Sequence, residues 1–159
     1  MILRFIARSL PTVMFWGFIV GAGSSCAALP SSAVSVLENA EQFQIYRLEP
    51  YTTEPPKPDD KVFHDHIVLA QTDVKDANVR QKIADVVNRG VRQGGSQAKC
   101  FNPRHGIHAL QGGKTVDLVI CYECSAIEVG ENGHWKTVTT SDVQSELDEA
   151  FQSAGMAAP

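Results

Sequence analysis

Apolar residues recur at helical spacing in two stretches of this chain and at alternate positions between them. The first stretch puts Val79, Ile83, Val86, Val87 and Val91 on one stripe, with Arg80, Lys82, Asp85 and Arg89 elsewhere. Asp76 stands where an N-cap belongs, and Gly94-Gly95 closes a helix that runs to about Arg92. The second stripe is Val143, Leu147, Ala150, Phe151 and Ala154, ended by Gly155. Ser141 and Gln144 have the spacing of a capping box at its start. Between these helices the period falls to two. Gly106–Leu110, Thr115–Tyr122, Ala126–Val129 and Trp135–Val138 read as strands, joined by Gly112-Gly113 and by Gly130-Glu131-Asn132-Gly133.

Upstream, Phe43–Leu48 and Ile67–Ala70 are two further strands, and Val36–Ala40 is a short helical turn. Residues 49–60 between the two strands hold four prolines among charged residues, which makes an exposed loop. No connection in the second half is long enough for a parallel crossover. The expected architecture is therefore α+β. It is an antiparallel sheet of two N-terminal strands and then a four-strand meander, with two helices packed on one face.

The first 37 residues carry only Arg4 and Arg8 as charges, then an apolar run from Leu10 to Val20 and a small-residue exit, Gly21 to Ser25. That is the layout of a secretory signal over residues 1–25. Cys26 follows directly, as the lipidated cysteine does in bacterial lipoproteins, so lipidation at Cys26 is expected and would anchor the chain to a membrane. Cleavage near Ala27 or Ala28, giving a periplasmic or secreted form, and an uncleaved anchor are the alternatives. Residues 26–35 read as a tether and 36–159 as one α+β domain.

Apolar residues make up 43% of the chain and charged ones 20%, which excludes a collagen, a disordered chain and a multi-pass membrane protein. The net charge of −4 becomes more negative once Arg4 and Arg8 leave with the signal, which argues against nucleic acid as a partner.

The chemistry concentrates in Cys100-Phe101-Asn102-Pro103-Arg104-His105-Gly106 and in Val119-Ile120-Cys121-Tyr122-Glu123-Cys124. A two-residue turn at Gly112-Gly113 pairs Gln111 with Lys114, and hence His108 with Asp117, Gly106 with Val119 and Arg104 with Cys121. Arg104, His108, Asp117 and Cys121 then share a polar face, while Ile107, Val116, Leu118 and Ile120 face the core. Carrying the register past Pro103 places Cys100 opposite residue 125, so a Cys100–Cys124 disulfide is expected, with Cys121 free. Arg104 would then lie near the Cys121 thiol and favour its ionised form.

Besides buried unpaired thiols, two other readings compete at these cysteines. Cys100, His105, Cys121 and Cys124 have the donor types of a tetrahedral zinc site, although one Cys-x-x-Cys is only half of a zinc ribbon. A redox-active Cys-x-x-Cys is the other, but the motif lies between strands instead of opening a helix. His64-Asp65-His66 has the donors for a metal, yet histidines after a proline loop are usually incidental. Gly112-Gly113-Lys114-Thr115 lacks the first glycine and following helix of a phosphate-binding loop. Ser96-x-x-Lys99 lacks the companion motifs of penicillin-recognising enzymes.

These same segments resemble an uncharacterised family of small exported bacterial proteins. Its members carry Cys-Phe-x-Pro-Arg-His, a Gly-rich hairpin and Ile-Cys-Phe-x-Cys; here Tyr122 replaces the phenylalanine and the resemblance spans roughly residues 37–159. It implies export and this architecture, but no reaction. With no convergent nucleophile, base and orienting group, the expected function is an exported cell-envelope binding or structural module with an unidentified envelope partner and no cofactor. The alternative is a zinc-binding or thiol-redox protein using Cys100, His105, Cys121 and Cys124.

Overall fold

The computed structural model describes residues 28–50 and 55–157. Its elements in chain order are α1 (Ser31–Glu38), β1 (Gln42–Leu48), β2 (Val62–Phe63), β3 (His66–Asp73) and α2 (Ala77–Gln93). Then follow β4 (His105–Gln111), β5 (Lys114–Cys121), β6 (Ala126–Glu131), β7 (His134–Thr139) and α3 (Gln144–Ser153). All seven strands form one antiparallel sheet in the order β2-β3-β1-β4-β5-β6-β7, curled into a half-barrel.

This overturns the expected two-plus-four sheet with two helices on one face. Two elements account for the difference. The first is α1, which begins inside the stretch read as a tether; Ala33, Val36 and Leu37 are buried against the sheet and α2. Its N-cap is Pro30, with no side-chain cap to announce it. The second is β2, only two residues long, which returns into β3 through His64 and Asp65 at φ 47° and 67°. Neither turn residue is a glycine, so the turn signal is weaker than at Gly112-Gly113, although both residue types tolerate positive φ.

The helix α2 forms for the reasons its sequence gives. The Asp76 side chain accepts hydrogen bonds from the Asn78 and Val79 amides, and Ile83, Val87 and Val91 are fully buried. The capping box of α3 does not form. Ser141 is drawn instead to the end of α2, its amide donating to Gly90 O and its hydroxyl to Gln93 Oε1. The amide of Gln144 takes Asp142 Oδ1 as its acceptor instead. Arg89 of α2 pairs with Glu146 of α3, closing the two helices together.

The β4–β5 hairpin holds the register that the glycine turn dictates, from Gln111 opposite Lys114 to His105 opposite Ile120. Gly112 and Gly113 both have positive φ, as a primed two-residue turn demands. Alternation then divides the sheet. Ile45, Ile107, Leu118, Ile120 and Ile127 enter the core beneath the helices, all without exposed surface. On the other face Tyr46, Leu48, Phe63 and Val119 make a smaller cluster. Phe63 stacks on Tyr46 and presses on Gly106, where an added Cβ would come within 2.7 Å of its ring.

Candidate functional site

Three cysteines meet where β5 ends. Past Cys121 the chain makes a tight turn, with the Ser125 amide donating to Tyr122 O and Ser125 at φ 49°. That turn brings positions 121 and 124 back to one side, and Cys121 is bonded to Cys124 in a disulfide, Cα to Cα 5.3 Å. The expected Cys100–Cys124 bond is therefore corrected. Positions three apart face opposite ways on a regular strand, but here the strand has already stopped.

Cys100 still reaches the pair. The Ala98 amide donates to Cys124 O, and the Arg104 amide to Ile120 O, so the segment 98–104 is laced to the end of β5 and its turn. Cys100 Sγ lies 3.6 Å from Cys124 Sγ. Cys121 and Cys124 are buried, at 1% and 0% exposure, with Phe101 packed against them, whereas the Cys100 thiol is free and exposed.

Backbone amides converge on the same sulfurs. Asn102 N–H donates to Cys121 Sγ and to Cys124 Sγ, each at 3.4 Å, and Cys124 N–H donates to Cys121 Sγ at 3.2 Å. Such donors favour negative charge on sulfur. Arg104, expected beside Cys121, commits its Nη2 to Glu123 Oε1 at 2.6 Å. A chain of exposed thiol, buried disulfide and amide-supported sulfur has the parts for thiol–disulfide exchange.

The zinc alternative does not assemble. His105 belongs to the core face of β4, where its Nε2 meets Asp148 Oδ1 of α3 at 2.7 Å and its ring packs edge-on against Phe151. Among the described residues, no group of three His, Cys, Asp or Glu side chains is placed to hold a metal ion. His105 and Asp148, with Arg47, Arg104 and Met156, line a cavity of about 40 Å³. Burial pushes the Asp148 carboxyl up, but hydrogen bonding and charge from His105 outweigh it and leave its pKa below the usual value.

On the polar face His108 and Asp117 meet as expected, Nδ1 to Oδ1 at 2.6 Å. The hydrogen bond that His108 donates to Asp117 raises the His108 pKa against the opposing effect of burial. His64, read from sequence as incidental, takes the other oxygen, Nε2 to Oδ2 at 3.0 Å, and stacks edge-on against Phe63 and Trp135. His66 does not join it, and burial lowers its pKa.

Sequence reasoning missed Asp148, Glu123 and His64 as partners, along with the amides of Asn102 and Cys124. The amides leave no mark in side-chain identity. The expected signal over residues 1–25 and the expected lipidation site Cys26 lie outside the described residues. Compared with known proteins, the chain matches no family model, no curated protein and no solved structure.

Proposed function

We propose that this chain is an exported cell-envelope protein that works by thiol–disulfide exchange at Cys100, Cys121 and Cys124. The observation that carries the reading is the Cys100 thiol 3.6 Å from one sulfur of the Cys121–Cys124 disulfide. A free thiol that close to a disulfide is placed for exchange, and the signal-like N-terminus sends the chain to compartments where disulfides persist. Cys26 anchors it by lipid. The resemblance of the two cysteine segments to small exported bacterial proteins agrees with that location.

The test is peptide mapping of the purified chain equilibrated in glutathione buffers of graded potential. A Cys121–Cys124 bond that opens and closes reversibly supports the reading. About one zinc per chain, or a bond that no buffer reduces short of unfolding, contradicts it. Location is checked by membrane fractionation and lipid labelling of wild type and Cys26→Ala. Unlabelled, soluble wild-type protein removes the anchor.

A binding or structural module is the second reading. It is favoured by the outer strand β7, where Trp135 is 43% exposed at the edge of the sheet. A partner recovered from envelope extracts by wild type and lost with Trp135→Ala would move the assignment there.

A further inference from the structure

We infer that Cys100 is the gateway of the centre: it draws the disulfide out of the buried pair and presents it to a dithiol partner at the surface. The inference rests on the exchange reading above and assigns each sulfur a role in it.

Burial sets the problem. Both sulfurs of the Cys121–Cys124 bond are screened from solvent, and Phe101 lies against them. Exchange requires a thiolate to touch a disulfide sulfur, so an external thiol has little access to this bond. Cys100 is exposed and is already 3.6 Å from Cys124 Sγ. Once its proton passes to solvent, the Cys100 thiolate attacks Cys124 Sγ. The Cys100–Cys124 bond forms as the Cys121–Cys124 bond breaks, and the electron pair leaves on Cys121 Sγ. This step is an isomerisation and consumes no oxidant.

The leaving sulfur is the one best provided for. Cys121 Sγ receives the amides of Asn102 and Cys124, while Cys124 Sγ receives one amide, that of Asn102, beside the Cys100 thiol. Amide donors stabilise a thiolate, and a stabilised thiolate leaves faster. Both donors are in place before the bond breaks, so little has to rearrange.

The product carries its disulfide on the exposed Cys100. A thiolate of a dithiol peptide or protein attacks Cys100 Sγ, and Cys124 leaves and takes a proton from solvent. The partner's second thiolate then attacks its own sulfur in the mixed disulfide and releases Cys100. The partner has lost two electrons and two protons. Cys121 and the released Cys100 thiolate also take protons from solvent, and the chain ends with three thiols.

The experiment uses the full chain as wild type, Cys100→Ser and Cys121→Ser, with dithiothreitol as the dithiol, acid quenching and peptide mapping. Cys100→Ser changes an exposed side chain and keeps the Cys121–Cys124 bond. Its reduction is expected to be roughly tenfold or more slower than in wild type, because the internal relay is gone. Cys121→Ser is expected to show a Cys100–Cys124 bond on mapping and to be reduced at least as fast as wild type. Equal reduction rates in wild type and Cys100→Ser overturn the gateway while leaving reversible exchange standing. So does a folded Cys121→Ser, by circular dichroism, that fails to form the Cys100–Cys124 bond under oxidising conditions. Wild type that lacks a reducible Cys121–Cys124 bond removes the exchange reading and the gateway with it.

Discussion

His64 and His108 grip the same carboxylate, one on each oxygen of Asp117. The first comes from the turn between β2 and β3, the second from the middle of β4. The carboxylate thus fastens the hairpin tip to the sheet face. Because the hydrogen bond donated to Asp117 raises the His108 pKa in the folded state, the contact favours the protonated ring. Its contribution to stability is complete below the unfolded pKa of about 6.5 and is lost as pH rises through the higher folded value. Melting temperatures of wild type and Asp117→Asn should therefore differ most in mildly acidic buffer and converge as pH rises above neutrality. A gap that widens with rising pH would contradict this account.

Asp148 has the opposite sign. Its folded pKa lies below the ordinary carboxylate value, so its pairing with His105 stabilises the fold at neutral pH and is lost as pH falls through the folded value. Asp148→Asn should lower the melting temperature at neutral pH and match wild type in strong acid. Thermal scans across the acid range decide it.

Gly106 has no room for a side chain. A Cβ there would meet Phe63 Cδ1 at 2.7 Å and Tyr46 Cβ at 3.3 Å. Gly106→Ala should destabilise by about 1–3 kcal/mol in denaturant titration, as overpacking does. Combining it with Phe63→Ala should cost less than the sum of the two single changes, since the second removes what the first strikes. Additive penalties would show that Phe63 does not rest on this strand.

Gly90 poses the same question inside a helix. Alanine is the better helix former by about 1 kcal/mol. Its Cβ, however, would lie 2.6 Å from Thr140 Oγ1 and 2.9 Å from Val143 Cγ2. The clash should win, so Gly90→Ala should unfold at lower denaturant than wild type. Trimming the neighbour in Gly90→Ala/Thr140→Ser leaves the hydroxyl in place and should restore little.

The parts of the fold legible in the sequence are those whose local chemistry admits one answer. Gly112-Gly113 permits the two positive φ angles of a tight turn, and from that turn the pairing of His108 with Asp117 follows. Asp76 and the valine stripe likewise define α2. What stayed hidden turned on residues behaving against type. His64, Asp65 and Ser125 take positive φ without being glycine, so the β2–β3 return and the turn joining Cys121 to Cys124 carried only a weak signal. Ser141, a good cap by identity, was claimed by α2 instead. The sulfur cluster was legible as a set of three cysteines. Its bonding depended on a turn that residue type announced only weakly.

The spacing of these cysteines also has a mechanical consequence. The bonded pair is 3 residues apart, so it clips one turn and leaves the chain on either side free to bear load. Cys100 and Cys124 are 24 residues apart and bracket the whole of β4 and β5. With the bond moved there, a pull on the two ends of the chain would pass from sulfur to sulfur and never reach that hairpin. The exchanged form should therefore extend less under force, by the contour length of the bracketed segment. Wherever the two ends of the chain are held apart, one bond then sets how far the protein stretches.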